Sequence, residues 1–168
     1  MNKIETWKIH DSQRGYFAFE LYKAMAENND IVLITMDLGF GMFDNHFEDM
    51  PEQCINTGAS EQAGMGVAVG LALQGKTVFV YTISSFFMRA AETINIYVHN
   101  EQIPIKLVGS GVDDSYKHDG YSHNATMVEK LMGLFNIKTY LPDSKEQVVK
   151  DFEKMLKSKK PSCILLQR

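Results

Sequence analysis

A chain of 168 residues, 45% hydrophobic and 23% charged, carries enough apolar material for a sizeable core, which excludes disordered and collagen-like classes. Its formal net charge of −4, with acids and bases interspersed, argues against a general nucleic-acid surface. No apolar run reaches the length of a membrane span and no basic-then-apolar leader opens the chain, so a cytoplasmic protein without membrane attachment is expected.

In chain order, "SQRGYFAFELYKAMAEN" places Phe17, Leu21, Ala24 and Met25 at helical spacing, with Asp11 or Ser12 available as N-cap. "IVLIT" is a short continuous apolar run, the pattern of a strand buried on both faces. "LGFGMFDNHFEDMPEQ" reads as loop, punctuated by Gly39, Gly41 and Pro51. A brief strand at "CINT" follows, then a helix over 61–73 and a strand at "KTVFVYT". The rhythm continues with a helix over 86–100, strand "IKLVG", a helix over 124–135, strand "IKTYL", a helix over 144–157 and strand "CILLQ". Alternating helices and buried strands predict one α/β domain, a three-layer α/β/α arrangement with a mostly parallel sheet of about six strands. Cys54 and Cys163 sit inside apolar runs without a CxxC partner and read as buried free thiols of a reducing compartment.

In such a sheet the loops beyond the strands' carboxyl ends form the binding edge. "MDLGFG", "TGASEQ", "TISSFF" and "SGVDDSYKHDGYSHN" are therefore the stretches to search. Gly64, Gly66 and Gly70 imitate a dinucleotide fingerprint poorly, because they lie inside the helix rather than in the turn before it, and no acid follows at ribose distance. Each glycine costs a helix up to about 1 kcal/mol relative to alanine, so a close approach is expected in compensation. It can come from packing within the domain or from a second subunit against the face of Ala63, Gly66 and Gly70. Glu61, behind a capping Ser60, reads on its own as a first-turn acid favoured by the helix dipole. His118, His123, Asp113, Asp114 and Asp119 lie in one glycine-punctuated loop, and no regular metal spacing is present, so no metal site is expected on this chain. Contacts to a polyol with a histidine as proton carrier suit that loop better. Phe86 and Phe87 open a helix in different directions, so one can pack inward while the other faces the cleft.

Taken in order, "DLG", "INTGASEQAGMGVAVGLALQGKTVFVYT", "SSFFMRAAETI", "HDGYSHNATMVEKL" and "LLQR" resemble the pyrimidine-binding domain of transketolase-type thiamine diphosphate enzymes over nearly the whole chain. That family has a "GIAEQ"-like segment, an "STF…F.TRA"-like segment and "EDGP[ST]HQ". The resemblance implies the thiamine diphosphate-binding fold and a catalytic Glu61 that shares a proton with N1′ of the cofactor's aminopyrimidine. It implies that Phe86 packs on that ring, that Ile83 and Arg89 flank it, and that Asp37 lies towards the thiazolium. Asp119 and His123 match residues that contact substrate hydroxyls and carbonyl, with His123 and Asp119 taking part in catalysis. Arg14 and Arg168 match arginines that hold a sugar phosphate. "HDGY" stands where "EDGP" is usual, and a family histidine is replaced around Gly111.

The sequence contains no GDG motif with following metal ligands and stops at Arg168. The resemblance then implies a single pyrimidine-binding domain over 1–168, without the family's diphosphate-binding or C-terminal domains. A separate diphosphate-binding subunit would hold the phosphates and Mg²⁺, in an α2β2 assembly. The expected activity is transfer of a ketol or acyl unit between sugar-like substrates. Competing readings are a 2-oxo acid decarboxylase subunit, a non-catalytic binding or regulatory module, and a nucleotide-binding domain.

Overall fold

The computed structural model describes residue 4 and residues 7–112 and 115–167. Six strands form one sheet: β1 (Ile31–Thr35), β2 (Cys54–Asn56), β3 (Thr77–Ile83), β4 (Lys106–Ser110), β5 (Lys138–Tyr140) and β6 (Ser162–Leu166). Their order is β2-β1-β3-β4-β6-β5, and every pairing is parallel. Alternate residues along each strand feed two separate cores. Val32, Ile34, Val78, Val80, Leu107, Cys163 and Leu165 point into one; Ile31, Leu33, Phe79, Tyr81, Val108, Ile164 and Leu166 point into the other. Burial on both faces is why the strands are continuous apolar runs rather than alternating ones.

Helices close both faces. On one side α1 (Gln13–Glu27) brings Phe17, Leu21 and Met25 against the carboxyl-terminal helix. On the other, α3 (Glu61–Leu73) and the helical run after β3 supply Met65, Ala68, Phe87, Ala90 and Ile94. The short helix α2 (Asp44–Asp49) lies within the stretch read from the sequence as loop. It is held by His46, which is fully buried, with Nε2 3.0 Å from the Ala18 carbonyl and its ring edge-on to Trp7, Tyr22 and Phe43. Such long-range ring packing leaves no local periodicity to detect.

The run after β3 begins as a 3₁₀ helix (Ser84–Ala90), passes through one α turn (Ala91–Thr93) and widens to a π-helix (Ile94–Asn100). Next, α4 (Val128–Leu134) starts four residues later than the sequence pattern. The Asn124 carboxamide accepts from Thr126 N and Thr126 Oγ1, and this local turn delays the helix. The last helix is α5 (Lys145–Lys157). Ser12 and Ser144 cap α1 and α5, accepting from Gly15 N and Gln147 N. At the sheet's amino-terminal edge Lys106 Nζ donates to the Ser158 and Lys160 carbonyls at 2.7 and 2.6 Å, tying the end of α5 to β4. Burial pushes that amine down to about 8. Both cysteines are free and buried. No helix among the described residues is long and apolar enough to cross a membrane.

Candidate functional site

The carboxyl ends of β1 to β4 open onto one edge. There Asn56 Oδ1 accepts from Gly58 N at 2.9 Å and from Asp37 N at 3.1 Å, which ties the turn after β1 to the turn after β2. Asp37 takes a left-handed backbone conformation (φ 54°), one that short polar residues tolerate, and its side chain is exposed. Ser60 occupies the N-cap of α3 but makes no side-chain capping bond. The caps Ser12 and Ser144 are fully extended, with ψ of 161° and 166°, whereas Ser60 has ψ 66°. The capping role read from the sequence is therefore not realised.

Glu61 follows as the first residue of α3 and is only 4% exposed. Its carboxylate sits at a helix end whose unpaired N–H groups favour an anion. Arg89, from the 3₁₀ segment after β3, reaches across and donates from Nη1 to Glu61 Oε1 at 2.8 Å. Together with Ser60, Gln62 and Ala63 the pair lines an open depression of about 560 Å³.

Phe86 and Phe87 diverge as expected. Phe87 is 1% exposed and packs into the core, while Phe86 is half-buried at the edge. The Arg89 guanidinium carbon lies 3.9 Å from the centre of the Phe86 ring, and the His123 ring meets Phe86 edge-on with centroids 4.9 Å apart. Two serines fix this corner. Ser84 Oγ donates to the Gly111 carbonyl at 2.5 Å, and Ser85 Oγ donates to the Ser122 carbonyl at 2.8 Å. His123 Nδ1 lies 2.9 Å from Ser122 Oγ. Gly111 itself has φ 89°, and a side chain there would strike the Tyr116 ring, which explains why a glycine occupies the position.

The structure thus brings Glu61, Arg89, Phe86 and His123 into one row drawn from three loops. Asp37 joins the same edge through Asn56, and Ile83 ends β3 immediately before the serine corner, 7% exposed. Asp119 and His118 lie exposed on the turn Lys117–Asp119, where Asp119 N donates to the Tyr116 carbonyl. Arg14 is engaged elsewhere: its Nη1 donates to the Tyr116 hydroxyl at 3.3 Å, and that hydroxyl lies 2.6 Å from Ser110 Oγ. Burial pushes the neighbouring Tyr81 phenol up, opposed in part by the Ser110 hydrogen bond and by the Arg14 charge. Asp113, Asp114 and Arg168 lie outside the described residues. Among the described residues no group of three His, Cys, Asp or Glu is placed to hold a metal ion. Asn56, Ser84, Ser85 and Tyr116 organise this edge and were not singled out by sequence; "TISS" marked the place of the serines but not their partners.

The glycines of α3 divide. A Cβ at Gly64 would lie 2.6 Å from Met36 Cε and 2.8 Å from Thr57 Oγ1, so this one is required by close packing under the Glu61 turn. Gly66 and Gly70 face open space, on a side shared with the exposed Ala63, Val67 and Leu73. Packing within the domain accounts for the first glycine and not for the other two.

Residues 12–168 match the family of the transketolase pyrimidine-binding domain. The chain is 30% identical over 120 residues to a 1-deoxy-D-xylulose-5-phosphate synthase of Saccharopolyspora erythraea, covering 70% of this chain and 18% of that protein. It is 28% identical over 114 residues to one subunit of the apulose-4-phosphate transketolase of Phocaeicola vulgatus, covering 67% of this chain and 36% of that protein. Among solved structures, a split gene transketolase described as an inactive beta4 tetramer superposes with a TM-score of 0.81 at 28% identity, over 94% of this chain and 51% of that one. The transketolase of Campylobacter jejuni superposes with a TM-score of 0.82 over 98% of this chain and 28% of that one; at 19% identity this is a likeness of fold. The matched stretch thus spans well under half of these two curated relatives, 18% and 36% of their lengths.

Proposed function

Because the chain belongs to the transketolase pyrimidine-binding domain family, we propose that it is the pyrimidine-binding component of a two-component, thiamine diphosphate-dependent, transketolase-like enzyme. It would transfer a ketol or acyl unit between sugar-like substrates. The observation that carries this reading is the junction of a buried carboxylate and a half-open aromatic ring. Glu61 at the start of α3 and Phe86 at the serine corner are bridged by one planar, N–H-bearing group, the Arg89 guanidinium. A site that accepts a flat nitrogenous cation on Phe86 while giving it a carboxylate fits an aminopyrimidine.

Thiamine diphosphate, when bound, supplies an electron sink for the carbon of a ketose or 2-oxo acid carbonyl. This chain's residues do the positioning and the proton work. Glu61, 4% exposed at the start of α3, would present its carboxyl at the ring-nitrogen position to hold or pass a proton there. Phe86 would offer its face to the ring, with Ile83 beside it and Arg89 at the pocket's mouth, and Asp37, tied to the turn after β2 through Asn56, would take the thiazolium side. His123, edge-on to Phe86, moves protons at the substrate's oxygens, assisted by Asp119. Arg14 and Arg168 hold the far end of the substrate. For Arg14 that role requires it to leave the Tyr116 hydroxyl.

We read 1–168 as one pyrimidine-binding domain and assign the diphosphate and Mg²⁺ to a separate subunit. Two relatives support that division, one a subunit of an apulose-4-phosphate transketolase and the other a split gene transketolase. The open face of Ala63, Gly66, Val67 and Gly70 is the surface we assign to subunit contact, with self-association completing an α2β2 assembly. The two buried free thiols suit a cytoplasmic setting.

The test combines this chain with a GDG-bearing diphosphate-binding protein, thiamine diphosphate and Mg²⁺, and offers ketose donors with aldehyde acceptors. Ketol transfer is the expected result, and Glu61→Ala should lower turnover by about a hundredfold or more, the scale of lost acid–base catalysis. Release of carbon dioxide from a 2-oxo acid without an acceptor would replace the transferase reading with a decarboxylase. Unchanged turnover in Glu61→Ala would leave only a binding or regulatory module.

A further inference from the structure

Arg89 makes, in this structure, both contacts that the proposed function assigns to the cofactor's ring. Its Nη1 donates to Glu61 Oε1 at 2.8 Å and its guanidinium carbon sits 3.9 Å from the centre of Phe86. A guanidinium is flat, delocalised and edged with N–H donors. An aminopyrimidine presents a flat π face and a protonatable ring edge. A ring that takes the carboxylate oxygen and the phenyl face now held by Arg89 cannot share this place with the guanidinium.

We propose that Arg89 is a displaceable plug of the pyrimidine pocket, swinging towards solvent when the ring enters. This rests on the cofactor reading given above.

Three observations favour displacement over a fixed wall. The Arg89 side chain is 48% exposed, against 4% for Glu61, so its path outward is already open. The depression bounded by Ser60, Glu61, Gln62, Ala63 and Arg89 provides room on the solvent side. Both contacts are of kinds that are weak when half-exposed, an ion pair with one wet partner and a cation over a ring at the surface. The plug also answers a need of the fold. Glu61 is almost wholly removed from water, and a carboxylate so placed requires a partner. Arg89 supplies it and holds Glu61 and Phe86 in their relative position before the ring arrives. The same contact lowers affinity for the ring, because binding must first break it.

The proposal is tested with the full chain and 4-amino-2-methylpyrimidine at mildly alkaline pH, where this ring is neutral and simple charge repulsion by Arg89 plays no part. Isothermal titration gives the affinity of the wild type, Arg89→Met, Arg89→Lys and Glu61→Gln. Arginine-selective NMR follows the guanidinium of Arg89 in the wild type. Arg89→Met should bind the ring about tenfold more tightly than the wild type, from the loss of two weak surface contacts. Arg89→Lys, which keeps the charge without the flat face, should gain about threefold. The Arg89 signals, shifted by the Phe86 ring current, should move to solvent-like positions as the pyrimidine saturates. Equal or weaker binding by Arg89→Met, with unmoved Arg89 signals, would make Arg89 a fixed wall and overturn the plug. If the wild type still bound the ring and Glu61→Gln weakened it, the cofactor reading would stand. No binding by either the wild type or Arg89→Met would overturn the cofactor reading and the plug with it.

Discussion

Replacing Gly66 and Gly70 by alanine separates what α3 needs for its own stability from what it keeps for a partner. Both residues are helical, and a methyl group at either would meet nothing within 4 Å. A glycine inside a helix costs about 0.8–1.0 kcal/mol relative to alanine, through backbone entropy and exposed peptide groups. With no clash to set against that gain, the double variant should be more stable than the wild type by about 2 kcal/mol. For a chain of this length the matching rise in melting temperature is about 5 °C. Gly64→Ala is the internal control. Its Cβ would lie 2.6 Å from Met36 Cε and 2.8 Å from Thr57 Oγ1, and Thr57 is itself bonded to the Thr35 carbonyl. Overpacking of about 1–3 kcal/mol then outweighs the propensity gain, for a net loss of about 1 kcal/mol.

Urea denaturation of the full chain, followed by circular dichroism at two protein concentrations, separates stability from self-association. A second measurement, association with a diphosphate-binding partner, reads the other side of the trade. If this face is the contact surface, two added methyls should weaken association roughly tenfold, the equivalent of about 1.4 kcal/mol. A double variant that loses stability at a concentration where the chain is monomeric would refute the reasoning, since the face would then be packed within the chain. Unaltered partner affinity in a stabilised variant would remove α3 from the interface and leave the two glycines without a purpose.

His46 should make the fold acid-sensitive. Burial pushes this imidazole down from 6.5 to about 4, so between those values the unfolded chain binds a proton that the native one refuses. The stability is fully present above about pH 6.5 and declines as pH falls towards about 4, by about 3 kcal/mol in all. Denaturation of the wild type and His46→Gln across that window should give curves that converge on acidification; parallel curves would refute the assignment. Burial also pushes the Cys54 thiol up to about 12 and raises that of Cys163. Neither should react with a thiol reagent in the native protein, and both should react once urea unfolds it. Gly109→Ala places a methyl against Ser84 Oγ and 2.7 Å from Leu165 Cδ2. It should cost about 1–3 kcal/mol by chemical denaturation and weaken binding of the pyrimidine probe, because Ser84 fixes the corner that carries Phe86.

The parts of this molecule that could be read in advance are those whose physics is local or periodic. Continuous apolar runs announced strands buried on both faces, and the β-α alternation announced parallel pairing, because a parallel neighbour requires a crossover. Parallel pairing in turn put every strand's carboxyl end on one edge. Four loops far apart in sequence could therefore be named together before any side chain was placed. What escaped was set by contacts between segments. The helix Asp44–Asp49 is too short and too polar to show a period, and it is held by rings from Trp7, Tyr22 and Phe43 around His46. Ser60 has the right identity for a cap and the wrong ψ, which the identity of one residue does not determine. Glu61 shows the same division most clearly. Its place in a first turn favoured a surface acid tuned by the helix dipole, and its pattern resemblance favoured a proton-sharing catalyst. Burial to 4%, with a single arginine reaching over Phe86 to meet it, removes the surface-acid reading on physical grounds. A dipole-favoured carboxylate has no need to leave water, whereas the proton-sharing role proposed for Glu61 would call for it.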